Sequence, residues 1–92
     1  MNVILINEDN HGLIGVANNY YNAADWLIIN DWISDTTEIC IGEDEHSYRW
    51  KPLKDVLGED WEDKMLDQWD INDFNDYWEG SFYLERVEVY QG

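Results

Sequence analysis

The stretch NVILINEDNHGLIGVANNYYNAADWLII, residues 2–29, decides the fold class. Val3 to Ile6 is apolar and rich in β-branched residues, and His11 to Val16 is a second apolar stretch. Between them lies the polar turn cluster Glu8-Asp9-Asn10, with Gly12 close behind. Two apolar runs around such a cluster predict a β-hairpin. Asn18 and Asn19 then offer side-chain oxygens to the free N–H groups that open a helix, predicted over Tyr20 to Trp32. Within it Ala24, Leu27 and Ile28, with Tyr20 and Tyr21, recur at steps of three and four, which is one face of a helix.

Outward from there the punctuation continues. Ser34, Asp35 and Thr36 separate the helix from a short strand over Thr37 to Ile41, which Gly42 ends. Glu43-Asp44-Glu45 reads as a charged turn, and His46 to Trp50 as a returning strand. Pro52 suits the first turn of a helix, where its missing N–H costs nothing. Leu53, Val56 and Leu57 give that helix a short apolar face; Gly58 breaks it and Glu59 starts again. Leu57, Trp61, Met65 and Trp69 step by four as one helical stripe, widened by Leu66. Asp70 is placed to cap a further helix, Ile71 to Trp78, with Ile71, Phe74 and Trp78 inward and Gly80 at its end. Phe82 to Tyr90 closes the chain as a strand whose alternation slips between Leu84 and Val87, predicting a β-bulge near Glu85–Arg86. The expected fold is α+β in the order β-β-α-β-(β)-α-α-β. A small antiparallel sheet is packed by about three helices, in one domain over residues 1–92.

Charge narrows the class of partner. The chain carries 21 acidic residues against five lysines and arginines, a formal net charge of −16. Cationic surfaces attract such a molecule, and bare nucleic acid and anionic membranes repel it. Hydrophobic residues at 45% are too many for a disordered acidic tail. Cys40 is the single cysteine, so no intrachain disulfide forms, which favours a reducing cytosolic setting. The opening MNVILINEDN has no basic region before its apolar run and reads as a strand rather than a signal peptide.

The acids concentrate between residues 55 and 79, DVLGEDWEDKMLDQWDINDFNDYWE. Asp55, Glu59, Asp60, Glu62, Asp63, Asp67, Asp70, Asp73, Asp76 and Glu79 face one lysine, Lys64. Asp60, Asp63 and Asp67 step by three and four, on a helix face away from Trp61 and Trp69; Asp73, Asp76 and Glu79 repeat the pattern. Neighbours at those steps lie about 5–6 Å apart, comparable with successive phosphates at roughly 3.4 Å of axis along a winding strand. A charge run is commonly only a solvated face. Like charges at this spacing cost a helix about 0.2–0.5 kcal/mol per pair, so a purely solubilising face would mix in lysines. The ten acids are therefore the candidate partner-binding residues. Six tryptophans, more than so small a core can enclose, add residues of the type that dominates interface energetics.

Catalytic and metal signatures are weak. His11 and His46 fall at predicted turns, and Cys40 with His46 is the one conceivable nucleophile and base couple. No glycine-rich phosphate loop exists. Asp70-Ile71-Asn72-Asp73-Phe74-Asn75 begins like a calcium loop but places Phe74 at the fifth position and Asn75 where glycine is required. The expectation is no enzyme, no cofactor and no metal.

GVANNYYNAADWLIINDWI (15–33) and GEDWEDKMLDQWDINDFNDYWEGSFYLERVEVY (58–90) resemble small acidic proteins of phages and mobile elements of Gram-positive bacteria. That resemblance brings no catalytic motif. In charge and size the chain is similar to phage-encoded anti-CRISPR and DNA-mimic anti-restriction inhibitors, which implies an inhibitor acting in the host cytoplasm. The expected partner is a positively charged nucleic-acid-handling protein, with no direct binding to nucleic acid. The alternative is an immunity protein or antitoxin that neutralises a cationic nuclease by the same physics.

Overall fold

The computed structural model describes residues 1–43 and 48–90. Its elements run β1 (Asn2–Glu8), β2 (Gly12–Ala17), α1 (Tyr20–Ile29), β3 (Glu38–Glu43), β4 (Tyr48–Pro52) and α2 (Leu53–Leu57). Next comes α3 (Trp61–Asp63), which passes into a π-helical turn over Lys64–Gln68, then α4 (Ile71–Tyr77) and β5 (Phe82–Glu88). The class is α+β as expected, and the order follows the expected one except that three helical segments rather than two lie between β4 and β5, giving four helices among the described residues. The strands form two antiparallel sheets rather than one: a three-stranded sheet ordered β2-β1-β5 and a separate β3-β4 hairpin. The predicted turn residues Asp44 and Glu45, and His46, lie outside the described residues.

The first hairpin forms where the sequence places it, but the bulge does not. β1 and β5 pair without interruption from Asn2 opposite Glu88 to Glu8 opposite Phe82, so Glu85 and Arg86 are regular strand residues. Phe82 and Leu84 are buried on the inner face, whereas Arg86 and Glu88 on that same face are exposed. The alternation lapses because the core ends there, not because the strand slips. The irregularity is instead in β2. Ile6 opposes Gly15 while Asn7 opposes Leu13, which leaves Ile14 as the extra residue. Ile14 packs against the core, and Gly15 lies under the Trp26 ring. A Cβ at position 15 would stand 2.9 Å from Trp26 Cζ2, so the indole sits where only glycine leaves room.

Asn19 caps α1 by accepting from the Asn22 N–H at 2.8 Å. The helix stops at Ile29, three residues before the expected end at Trp32. Asp31 enters the left-handed region at φ 62°; its N–H donates to the Ile28 carbonyl, and the Trp32 N–H to that of Leu27. These two bonds make a Schellman motif with aspartate where glycine is usual.

The three-stranded sheet is covered on one face. Ile4, Ile6 and Leu84 meet Ala23, Ala24 and Leu27 of α1, with Met65, Phe74 and Trp78, in one buried cluster that also takes Ile39 and Leu53 from the second hairpin and α2. By strand register Val3, Leu5 and Asn7 turn the other way, opposite Val87, Glu85 and Tyr83 of β5, with Val16 and Leu13 beside them on β2. Leu13, Val16 and Tyr83 on that outer face are 57%, 53% and 55% exposed. The far edge of β5 is fastened to α4: Asn75 donates through Nδ2 to the Leu84 carbonyl at 3.0 Å and accepts the Leu84 N–H at 2.8 Å. One side-chain amide thus stands in for a neighbouring strand. Among the described residues no helix is long and apolar enough to cross a membrane.

Candidate partner-binding surface

All ten predicted carboxylates are on the surface. Asp55 is on α2, Glu59 and Asp60 precede α3, and Glu62, Asp63 and Asp67 lie along α3 and its π-helical turn. Asp70, Asp73 and Asp76 belong to the start and body of α4, and Glu79 lies beyond its end.

The one helical stripe read through Leu57, Trp61, Met65 and Trp69 is broken up, for identifiable reasons. Gly58, at φ 95°, ends α2, so Leu57 is not on the helix that carries Trp61 and Met65. The Trp69 N–H reaches back five residues to the Lys64 carbonyl at 3.2 Å, which widens the last turn. Trp69 itself is extended, with ψ 152°, and stacks parallel on Tyr77 with centroids 4.4 Å apart. Asp70 and Asp73 start α4 as a capping box: the Asp73 N–H donates to Asp70 Oδ1 at 2.9 Å, and the Asp70 N–H to Asp73 Oδ2 at 3.1 Å. With those N–H groups turned elsewhere, the Met65 carbonyl is left without a helical partner. The Tyr20 hydroxyl donates to it and ties α1 to this segment. Burial, with the charges of Asp73 and Asp70, pushes the Tyr20 phenol well above its ordinary range, so the hydroxyl stays a donor.

Three of the ten acids therefore have local duties. Asp70 and Asp73 form the cap, and Asp60 Oδ1 lies 3.4 Å from Lys64 Nζ. Lys64 also donates to the Leu57 carbonyl at 2.6 Å, so the one cation of the run is turned to the fold. Asp55, Glu59, Glu62, Asp63, Asp67, Asp76 and Glu79 have no hydrogen-bonding or ionic partner among the described residues.

The tertiary fold adds acids that the sequence reading missed. Asp31 and Asp35, from the connection between α1 and β3, join Glu62 around an open depression of about 300 Å³. Ile28, Ile33 and Trp61 form its apolar walls. An aspartate in the left-handed position after a helix was the available signal.

The histidine readings lead elsewhere. His11 Nδ1 bonds Glu8 Oε2 across the first hairpin turn, and its ring meets the edge of Trp32 at 5.5 Å. That bond holds the Glu8 carboxyl below the usual carboxylate range, against a smaller opposing effect of burial. His11 is 64% exposed at its side chain, with no hydroxyl or thiol bonded to it. His46 lies outside the described residues, so the Cys40–His46 couple is not placed. No polar or charged residue is buried among those described, and no three His, Cys, Asp or Glu side chains gather as a metal ion would require.

No protein-family model matches this chain, and no curated protein or solved structure matches it. The functional reading rests on the surface alone.

Proposed function

We propose that this chain is a non-enzymatic, cytosolic binding protein that occupies a cationic surface of a nucleic-acid-handling protein and thereby inhibits it. The observation that carries the reading is that seven carboxylates of residues 55–79 are exposed without partners while Lys64, the one cation among them, is bound into the fold. Carboxylates presented in that way pair with the lysines and arginines that otherwise hold phosphates, through charge-assisted hydrogen bonds and steered encounter. Arg49, Lys51 and Lys54 cluster on β4 and α2 with Asp55 beside them, which gives nucleic acid itself no extended basic patch.

The test removes charge where no structural duty is lost. Glu62→Gln with Asp63→Asn and Asp67→Asn should melt no lower than the parent, since removing like charges relieves repulsion. Binding to the protein captured from a bacterial lysate at low salt, once purified, should weaken at least tenfold. The parent should displace nucleic acid from that protein, less effectively as salt rises. Unchanged affinity in the folded triple variant would move the contact off this surface. Direct, salt-sensitive DNA binding by the chain alone would overturn the reading.

A further inference from the structure

We infer that the outer face of the β2-β1-β5 sheet is a second contact surface, and that its occupant is an apolar patch with a basic rim on the same cationic protein. The inference rests on the function proposed above and adds a contact whose energy is not electrostatic.

A sheet covered on one side ordinarily turns polar residues to water on the other. Here the open side carries Val3, Leu5, Leu13, Val16, Tyr83 and Val87 in adjacent cross-strand rows. Among the eight residues turned outward, only Glu85 is charged, in a chain with 21 acids. The acids lie around the face instead. Asp9, which is exposed, follows the end of β1. Along the β5 edge Asn75 fastens α4, which bears the exposed Asp76. An uncharged centre within a charged rim is the anatomy of a protein interface.

Area and charge choose the occupant. Three strands about 4.8 Å apart, each about six residues long at about 3.3 Å per residue, make a face on the order of 300 Å². A stable two-protein interface needs roughly 800 Å² from each side, so face-to-face pairing of two copies falls short. Pairing would also set two rims of like charge, on chains of net charge −16, against each other. A basic protein meets both conditions: it is attracted by the net charge of the chain, and it reaches full contact area by extending past the β5 edge onto α4, which Asn75 fastens there.

Crosslinking and calorimetry test this together. Val16 is replaced by a photoreactive benzophenone amino acid, with a second preparation carrying it in place of Asp63, and each is irradiated in bacterial lysate. The expected result is one and the same crosslinked protein from both positions, identified by mass spectrometry and basic in its contact region. With that protein purified, Leu13→Ser/Tyr83→Ser should bind at least tenfold more weakly at both about 50 mM and about 500 mM salt. Its binding heat-capacity change should be less negative, as lost apolar burial requires. The carboxylate triple variant should instead differ from the parent chiefly at low salt. No crosslink from position 16, a crosslink only to a second copy of this chain, or parental affinity for Leu13→Ser/Tyr83→Ser at both salts overturns the inference. The carboxylate variant separately decides the proposed function.

Discussion

Asp31 shows how one residue can work against the fold that contains it. Its left-handed backbone completes the Schellman motif that ends α1, yet a Cβ makes that conformation costly. Glycine removes the cost, and part of the gain is offset because glycine has more freedom in the unfolded chain. Asp31→Gly should therefore stabilise the domain by roughly 0.5–1 kcal/mol, read as a higher urea midpoint with an unchanged slope. Asp31→Asn, which keeps the side-chain shape, separates the share that comes from removing a charge. A lower midpoint for Asp31→Gly would mean that the aspartate side chain supports the turn. The carboxylate also borders the depression shared with Asp35 and Glu62.

At the scale of elements the joint between α4 and β5 matters most. A strand edge presents unpaired backbone groups, and Asn75 occupies those of Leu84 with two hydrogen bonds. Asn75→Ala should cost about 1–3 kcal/mol, because Leu84 loses both partners at a partly buried place. It should also raise aggregation on heating, followed by light scattering, since the freed edge can pair with another chain. An unchanged melting point would show that water replaces the amide without loss. The edge of β2 is protected differently, by the bulge at Ile14.

For the whole molecule the controlling quantity is a net charge of −16 on 92 residues with no acid buried among those described. Mutual repulsion opposes the compact state, and added salt screens it over a Debye length of about 10 Å at 0.1 M. The isolated protein should melt higher in about 0.5 M sodium chloride than in about 10 mM, and each 1 kcal/mol relieved raises Tm by about 4–8 °C for a domain of this size. A Tm independent of salt would place the carboxylates too far apart to interact. The same salt series should weaken capture of a cationic partner, so stability and binding are expected to respond in opposite directions.

Local signals in the sequence determined the α+β class, the first hairpin, the Asn19 and Asp70 caps, the break at Gly58 and the exposure of the acids. Each depends on backbone preference, hydrogen-bond reach or solvation within a few residues. The tertiary structure alone decided how the strands divide into two sheets, because pairing depends on which strands share a core. It moved the expected bulge from β5 to β2, where Gly15 must pass beneath Trp26, a contact between residues far from adjacent in the chain. It split the four-residue stripe of Leu57, Trp61, Met65 and Trp69 as well. The hydrogen bond from Tyr20 to Met65 and the capping box at Asp70 stabilise a widened turn that helical periodicity cannot foresee. The gathering of Asp31 and Asp35 with Glu62, and the open apolar face of the sheet, are likewise products of packing. Sequence spacing sets which way a side chain points along its own element, and only the assembled layers set what it meets.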